Sequence, residues 1–489
     1  MSDSPTTVDV AIVGTGFSGL GMAIQLQREQ QRSFVLLEQA DEVGGTWRAN
    51  HYPGCACDIP SALYSFSFAP NPDWTRAFAP QEEILAYLRG LVDRYQLRPH
   101  LRLGTRVKAA AFDETDGLWR VETSGGPVIA RHLVLGVGGL SRPSTPELPG
   151  LADFGGTVFH SAQWDHAYPL EGKRVAVIGT GASAIQVVPQ IVPRVGHLDL
   201  YQRTPPWVLP KPDHEVSTLR RRLYAAVPLT QKLVRAGIYW QWEARGLGFT
   251  MDPRLMKLAI GMGRRHIFAQ VADPALRAKV TPTYMPGCKR ILMADDYYPA
   301  ISQPHVDLVT DGIERVTKTG IRTVDGRERA VDAIIFATGF KVADFLSPLA
   351  VTGRAGRGLN EEWRAGVEAY LGVTVSGFPN LYLMMGPNTG LGHNSMVFMI
   401  ESQIEYARAC MRAVDAHGAR WADVKPRAQR GYNDTIQPRL QRTVWASGCQ
   451  SWYLGKDGRN ETLWPGFTFE YWWKTRRVDA SAYEYVGLA

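Results

Sequence analysis

VDVAIVGTGFSGLGMAIQLQ, from Val8 to Gln27, sets out a strand, a glycine turn and a helix in that order. Val8–Val13 reads as the strand, Gly14-Thr15-Gly16-Phe17-Ser18-Gly19 as the turn, and a helical segment runs on from Leu20. The glycines keep the turn tight, let the backbone approach a pyrophosphate, and bring a helix N-terminus to face that negative charge. A second strand-like run, Phe34–Leu37, leads to Glu38, 24 residues after Gly14, where a carboxylate can accept from the ribose hydroxyls of an adenosine. The hexapeptide alone is weak evidence; strand, helix and distant acid together specify a dinucleotide site.

The pattern recurs. Arg174–Ile178 precedes Gly179-Thr180-Gly181-Ala182-Ser183-Ala184, again a strand before a helix, with Ala184 where the fingerprint tolerates a replacement of the third glycine. The position 24 residues beyond Gly179 is Arg203, followed by Thr204, where the first site has its acid. A cation there pairs with a 2′-phosphate, so NADPH is expected at the second site and FAD at the acidic first one. Two dinucleotides on one chain imply electron transfer between them, an order shared by flavoprotein monooxygenases and disulfide reductases.

The 489 residues leave room for two or three domains, and 45% apolar with 21% charged residues fit a globular chain. MSDSPTTVDV passes from a polar lead into a strand without the basic and apolar regions of a secretory signal, and no apolar run is long enough to span a membrane. A cytoplasmic protein without a stable membrane anchor is expected. Cys55, Cys57, Cys288, Cys410 and Cys449 follow neither a disulfide framework nor a zinc spacing, so unpaired thiols and no metal are expected. The C-x-C of Cys55 and Cys57 is a poor match to a redox C-x-x-C, which also argues against a disulfide reductase. The net charge of +7 reads as scattered, without a Lys/Arg block, so no nucleic-acid partner is expected and two phosphate-rich cofactors account for the excess. Oligomeric state is not legible here.

Between the fingerprints lies FGGTVFHSAQWD, Phe154–Asp165. Its form, F-x-G-x-x-x-H-x-x-x-W-[PD], resembles the signature of type I Baeyer–Villiger monooxygenases, and Gly44–Asp58 resembles a second pattern of that family, G-G-x-W-x-x-x-x-[FY]-P-G-x-x-x-D. Related flavin-containing monooxygenases generally end the first motif with Tyr or Phe, so Trp164-Asp165 favours the Baeyer–Villiger side. The resemblance covers nearly the whole chain. It implies conversion of a ketone to an ester or lactone with FAD, NADPH and O2 through a flavin peroxide; the alternative is oxidation of sulfides or amines.

The resemblance also implies roles. Arg290, in Cys288-Lys289-Arg290, maps onto the catalytic arginine, Asp58 onto the aspartate that holds it, and Lys289 onto a contact of the NADP phosphate region. Developing negative charge needs a neighbour that stays protonated, and a carboxylate orients such a guanidinium. Read alone, Asp58 is equally a helix cap for the segment IPSALYSFSF or a functional carboxylate, and Lys289-Arg290 is a surface turn. His160 is implied as essential for coupling domain movement to cofactor position, and not as a general base; by spacing alone it belongs to an ordinary core cluster. Gly45, Thr46, Trp47, Asp58 and Tyr64 are the implied flavin contacts, Ser183, Thr204 and the Trp452 of Ser451-Trp452 the NADP contacts, and Asn394 and Met396 further cofactor contacts from GPNTGLGHNSM. The continuation GKDGRNETLWPG departs from the cyclic-ketone enzymes, leaving the pocket open.

The expected fold is α/β, with two doubly wound Rossmann-like dinucleotide-binding domains. An FAD domain of residues 1–145 and 341–489 would enclose an NADP domain of 146–340, which carries a helical insertion at 212–280 with apolar residues at threes and fours and arginines between. The resemblance implies that the insertion packs over the active site; its apolar, basic faces could instead rest on a membrane surface, but a core helix pair shows the same periodicity, which disfavours that reading.

Overall fold

The computed structural model describes residues 5–342, 346, 348–449, 451, 453–455 and 458–487. The opening run forms β1 (Thr6–Val13), whose last four residues are buried. The glycine turn feeds α1 (Phe17–Glu29), and the chain returns as β2 (Phe34–Leu37), parallel to β1 with Val10 opposite Phe34. Strand β3 (Leu101–Arg102) adds beyond β2. Then β4 (Val107–Asp113), β5 (Leu118–Thr123) and β6 (Val128–Leu135) form an antiparallel meander whose last strand lies parallel to β1. Two late segments complete this eight-stranded sheet: Ala350–Thr352 beside β4 and Leu381–Leu383 beside β6.

A second, five-stranded sheet holds β7 (Thr157–His160), β8 (Arg174–Ile178), β9 (His197–Tyr201), β10 (Val306–Val309) and β11 (Ala333–Phe336), in the order β10-β9-β8-β11-β7. Every pair is parallel, and β8, β9 and β11 are almost wholly buried. Such continuous apolar strands form where helices cover both faces of a sheet. The second glycine turn joins β8 to α2 (Ala182–Ile191). The chain passes between the sheets twice, and the two crossings lie side by side: Ser144 N–H donates to Gly339 O at 2.8 Å and Lys341 N–H to Arg142 O at 3.0 Å.

The insertion is helical as read, with α3 (Thr218–Ala226), α4 (Pro228–Glu243) and α5 (Lys257–Gln270). Its first two helices bury few residues. Helix α3 buries Tyr224 alone, and α4 buries Gln231, Trp242 and Glu243. Long α6 (Met396–Ala416), by contrast, is buried along its length, and α7 (Thr468–Thr475) packs beside it. Glu243, at the end of α4, accepts from the Thr468 hydroxyl at 2.7 Å and from the N–H groups of Thr468 and Phe469, so an anion sits at the N-terminus of α7. Among the described residues, no helix is long and apolar enough to cross a membrane.

Candidate active site

The first turn is a backbone cradle that only glycine can build. Gly14 has φ +96°, and a Cβ there would come within 2.5 Å of Gly136 O. A Cβ on Gly19 would come within 1.8 Å of Gly14 O. At Gly16 the nearest atom to such a Cβ is Gly45 Cα at 3.6 Å, so the turn meets the 44–58 loop glycine to glycine. Thr15 donates its N–H (3.1 Å) and hydroxyl (2.7 Å) to Glu38, whose other oxygen accepts from Ala40 N–H at 2.9 Å. The carboxylate is thereby pinned at the tip of β2, where an adenosine ribose would reach it.

The second turn is open. Gly179 has φ +112°, with a Cβ excluded by Ala337 O at 2.5 Å, yet a Cβ on Gly181 would meet nothing within 4 Å. Ala184 is fully buried at the third position. The Thr180 hydroxyl donates to Thr204 O at 3.2 Å, tying the turn to the segment that carries Arg203. Arg203 and Lys289 converge: burial and then the Arg203 charge lower the Lys289 pKa. Two cations beside an open glycine turn fit a dinucleotide that carries a 2′-phosphate.

The 44–58 loop joins the two folds. Tyr52 OH donates to Gln186 Oε1 at 3.0 Å, Gln186 Nε2 donates to Ala56 O at 3.0 Å, and Ser183 lies within reach of Tyr52, so α2 is docked on this loop. Earlier in the loop, Thr46 opens a short helix, and Trp47 Nε1–H donates to the Tyr64 hydroxyl at 3.2 Å with the rings edge-on. At its end stands Asp58. Arg290 donates from Nε to Asp58 Oδ2 at 2.8 Å and from Nη2 to the same oxygen, with the arginine side chain one-third exposed. The Asp58 charge raises the already high pKa of Arg290. The segment after Asp58 forms turns rather than a helix, so Asp58 caps nothing and the Lys289-Arg290 turn is no simple surface feature.

Tyr453 was not singled out in the sequence. It is 1% exposed and its phenol lies close enough to Arg290 and Asp58 to interact electrostatically, with burial pushing its pKa up to about 12. One buried tyrosine among 19 carries no sequence signal beyond its adjacency to Ser451-Trp452. Trp452 itself lies outside the described residues.

His160 ends β7 opposite Phe336 of β11, beside the crossing, with its ring 5.9 Å from Phe340. Its Nδ1 accepts from Ala162 N–H at 3.0 Å, which leaves the proton on Nε2, a buried nitrogen without a hydrogen-bond partner among the described residues. Burial lowers its pKa, which favours the neutral imidazole at the crossing. Two residues past Trp164, His166 Nε2 meets His51 Nδ1 of the 44–58 loop at 2.8 Å. Asn394 and Met396 flank Ser395, the cap at the start of α6. The Asn394 amide donates to Glu243 and its oxygen accepts from Ser395 N–H at 2.8 Å, while Met396 packs with the Phe249 and Trp445 cluster.

The cysteines require a correction. Cys288 and Cys449 form a disulfide with Cα atoms 6.1 Å apart across 161 residues, a pairing that linear spacing does not reveal. It ties the Arg290 turn to the C-terminal segment before Ser451. Cys55 and Cys57 are buried free thiols; burial raises both pKa values, that of Cys55 to about 12, which leaves them without thiolate character.

The sequence profile described as pyridine nucleotide-disulphide oxidoreductase matches residues 11–227. That stretch contains both glycine turns but only the two unpaired cysteines, so the match records the paired nucleotide folds rather than a redox disulfide. A Baeyer–Villiger monooxygenase of Pseudomonas aeruginosa is 53% identical over 99% of this chain and 93% of its own, and one of Streptomyces coelicolor is 50% identical over 98% and 92%. Among solved structures, an oxidized steroid monooxygenase bound to NADP superposes with a TM-score of 0.88 at 31% identity, covering 99% of this chain and 100% of the other. A cyclohexanone monooxygenase from Rhodococcus bound to NADP+ does so at 0.88 and 30%, covering 99% and 100%. With both dinucleotide turns formed and likeness running the length of the chain, this protein belongs to the Baeyer–Villiger monooxygenases and is an NADPH-dependent flavoprotein monooxygenase with FAD as its second cofactor.

Proposed function

We propose that the chain converts a ketone to an ester or lactone with NADPH and O2. The observation that carries this reading is the Arg290–Asp58 pair, set where the loop from the first nucleotide fold meets the second. FAD, reduced by NADPH when both are bound, supplies the activated oxygen. FAD would be held by the Gly14–Gly19 turn, Glu38 and the loop of Gly45, Thr46 and Trp47 with Tyr64; NADPH by Gly179, Gly181, Ser183, Arg203, Thr204 and Lys289. Asp58 fixes the Nε and Nη2 edge of Arg290, and the remaining donors stabilise negative charge as it develops on the substrate carbonyl oxygen. His160 holds the crossing between the folds. The domain division at 145 and 341 belongs to the same proposal, supported by where the two sheets begin and end. So does a cytoplasmic location, since NADPH must reach the open second turn from the cell interior; the disulfide opposes it, because cytoplasmic thiols are normally reduced.

The test is aerobic incubation with NADPH and a panel of cyclic, linear and aryl ketones plus an aryl methyl sulfide, under labelled oxygen gas. An ester or lactone with one labelled atom is expected. Arg290→Ala should still reduce flavin at a near-normal rate while ester formation falls about 100- to 1,000-fold. Normal ester formation by that variant would remove Arg290 from the chemistry, and sulfoxide as the sole product would replace the ketone reading with heteroatom oxidation.

A further inference from the structure

We propose that α3, α4 and α7 form a docking surface for an anionic phospholipid bilayer. On α3, Leu219 (79% exposed) and Leu223 are one turn apart; on α4, Leu229, Leu233 (65%) and Trp240 repeat at fours and sevens, so each helix turns an apolar stripe to solvent. On α7, Phe469, Trp472 and Trp473 (69%) form a third such stripe. The stripes belong to one body. Helix α3 runs into α4 through Val227 and the two are in contact, the Trp240 and Phe469 rings lie 6.1 Å apart, Tyr239 shares a 3.0 Å hydrogen bond with Thr468, and Glu243 fastens the end of α4 to the start of α7. Isolated exposed leucines need no explanation, but three neighbouring helices that all leave their apolar side in water mark a binding face.

The charge of the segment selects the occupant. Residues 217–270 contain ten Lys and Arg against two acids, Glu243 and Asp252; Arg220, Arg221, Arg222 and Lys232 stand on α3 and α4, while Arg235 turns inward to the carbonyls of Ala62, Leu63 and Ser65. Glu243 is also buried at 1% exposure. Over the whole insertion, residues 212–280, twelve Lys and Arg stand against five acids, so the chain's net positive charge falls within it without forming a contiguous block. A second copy would bring the same positive face against itself, which an isologous contact penalises. An anionic bilayer answers every feature. Leucines and tryptophans enter the headgroup boundary, arginines and lysines extend to lipid phosphates, and apolar area combined with charge gives reversible attachment without a spanning helix.

The holoenzyme is floated with vesicles of equal parts phosphatidylglycerol and phosphatidylcholine, and with phosphatidylcholine alone. Binding to the anionic vesicles should be about tenfold tighter and should weaken as salt is added. Leu229→Glu/Leu233→Glu and, separately, Arg220→Gln/Arg222→Gln should each weaken it about tenfold while flavin content and vesicle-free NADPH oxidation stay unchanged. Absence of binding, equal binding to both vesicle types, or unchanged binding by both variants overturns the proposal. A concentration-dependent dimer that Leu229→Glu/Leu233→Glu abolishes, without vesicle binding, overturns it in favour of a second copy.

Discussion

At the first glycine turn a methyl group on the third glycine, Gly19, would collide with Gly14 O; at the second turn the equivalent position already carries a methyl, on Ala184, fully buried. The middle glycines differ in the same sense, Gly16 lying under Gly45 of the 44–58 loop while Gly181 faces open space. One fingerprint thus serves two purposes. A turn closed by a loop and pinned through Glu38 suits a cofactor that stays, and an open turn flanked by Arg203 and Lys289 suits one that arrives and leaves. The Arg290–Asp58 pair proposed for catalysis uses both kinds of surroundings, with Asp58 from the closed side and Arg290 from the turn next to Lys289.

The largest effect should come from breaking the closed turn. Gly19→Ala forces the turn apart, at about 1–3 kcal/mol of overpacking, and the purified protein should lose its flavin absorbance and all NADPH oxidation. Ala184→Gly should retain both, and full flavin in Gly19→Ala would erase the distinction between the turns. Next is the disulfide behind Lys289. Cys449→Ser should lower unfolding stability by about 2–4 kcal/mol, read as a fall in Tm, with flavin content intact. An unchanged Tm would show that packing alone holds the segment. On the open side, Arg203→Ala should raise the KM for NADPH about tenfold, or about 1.4 kcal/mol, and leave that for NADH unchanged. Equal changes for both nucleotides would detach Arg203 from the 2′-phosphate. The smallest effect concerns the seam. Burial and then His166 lower the His51 pKa from 6.5, so the stability contributed by neutral His51 is present above that pH and is lost as pH falls below it. His51→Asn should flatten the decline of Tm on the acid side; an unaltered slope would exclude the pair as its source.

The strands, both glycine turns and the helix after each were legible because each depends on residues close in sequence: a period of apolar residues, then a glycine at fixed offset. The Arg290–Asp58 pair was legible only through the family's motifs, since 232 positions separate its members and each has a bland local reading. Tyr453 and the Cys288–Cys449 bond escaped, because burial and proximity arise from chain segments far apart. Asn394 shows the converse. Its motif is legible in the sequence, while its partner Glu243 is an acid from the insertion that nothing local links to it.

By itself the sequence determined two nucleotide sites, the charge that tells them apart, and the helices of the insertion, since glycine conformation, side-chain charge and helical period are local properties. The tertiary structure alone decided that one turn is closed and the other open, which cysteines pair, and that the insertion's apolar stripes face solvent. Periodicity fixes which side of a helix is apolar, but what that side meets depends on where the rest of the chain goes.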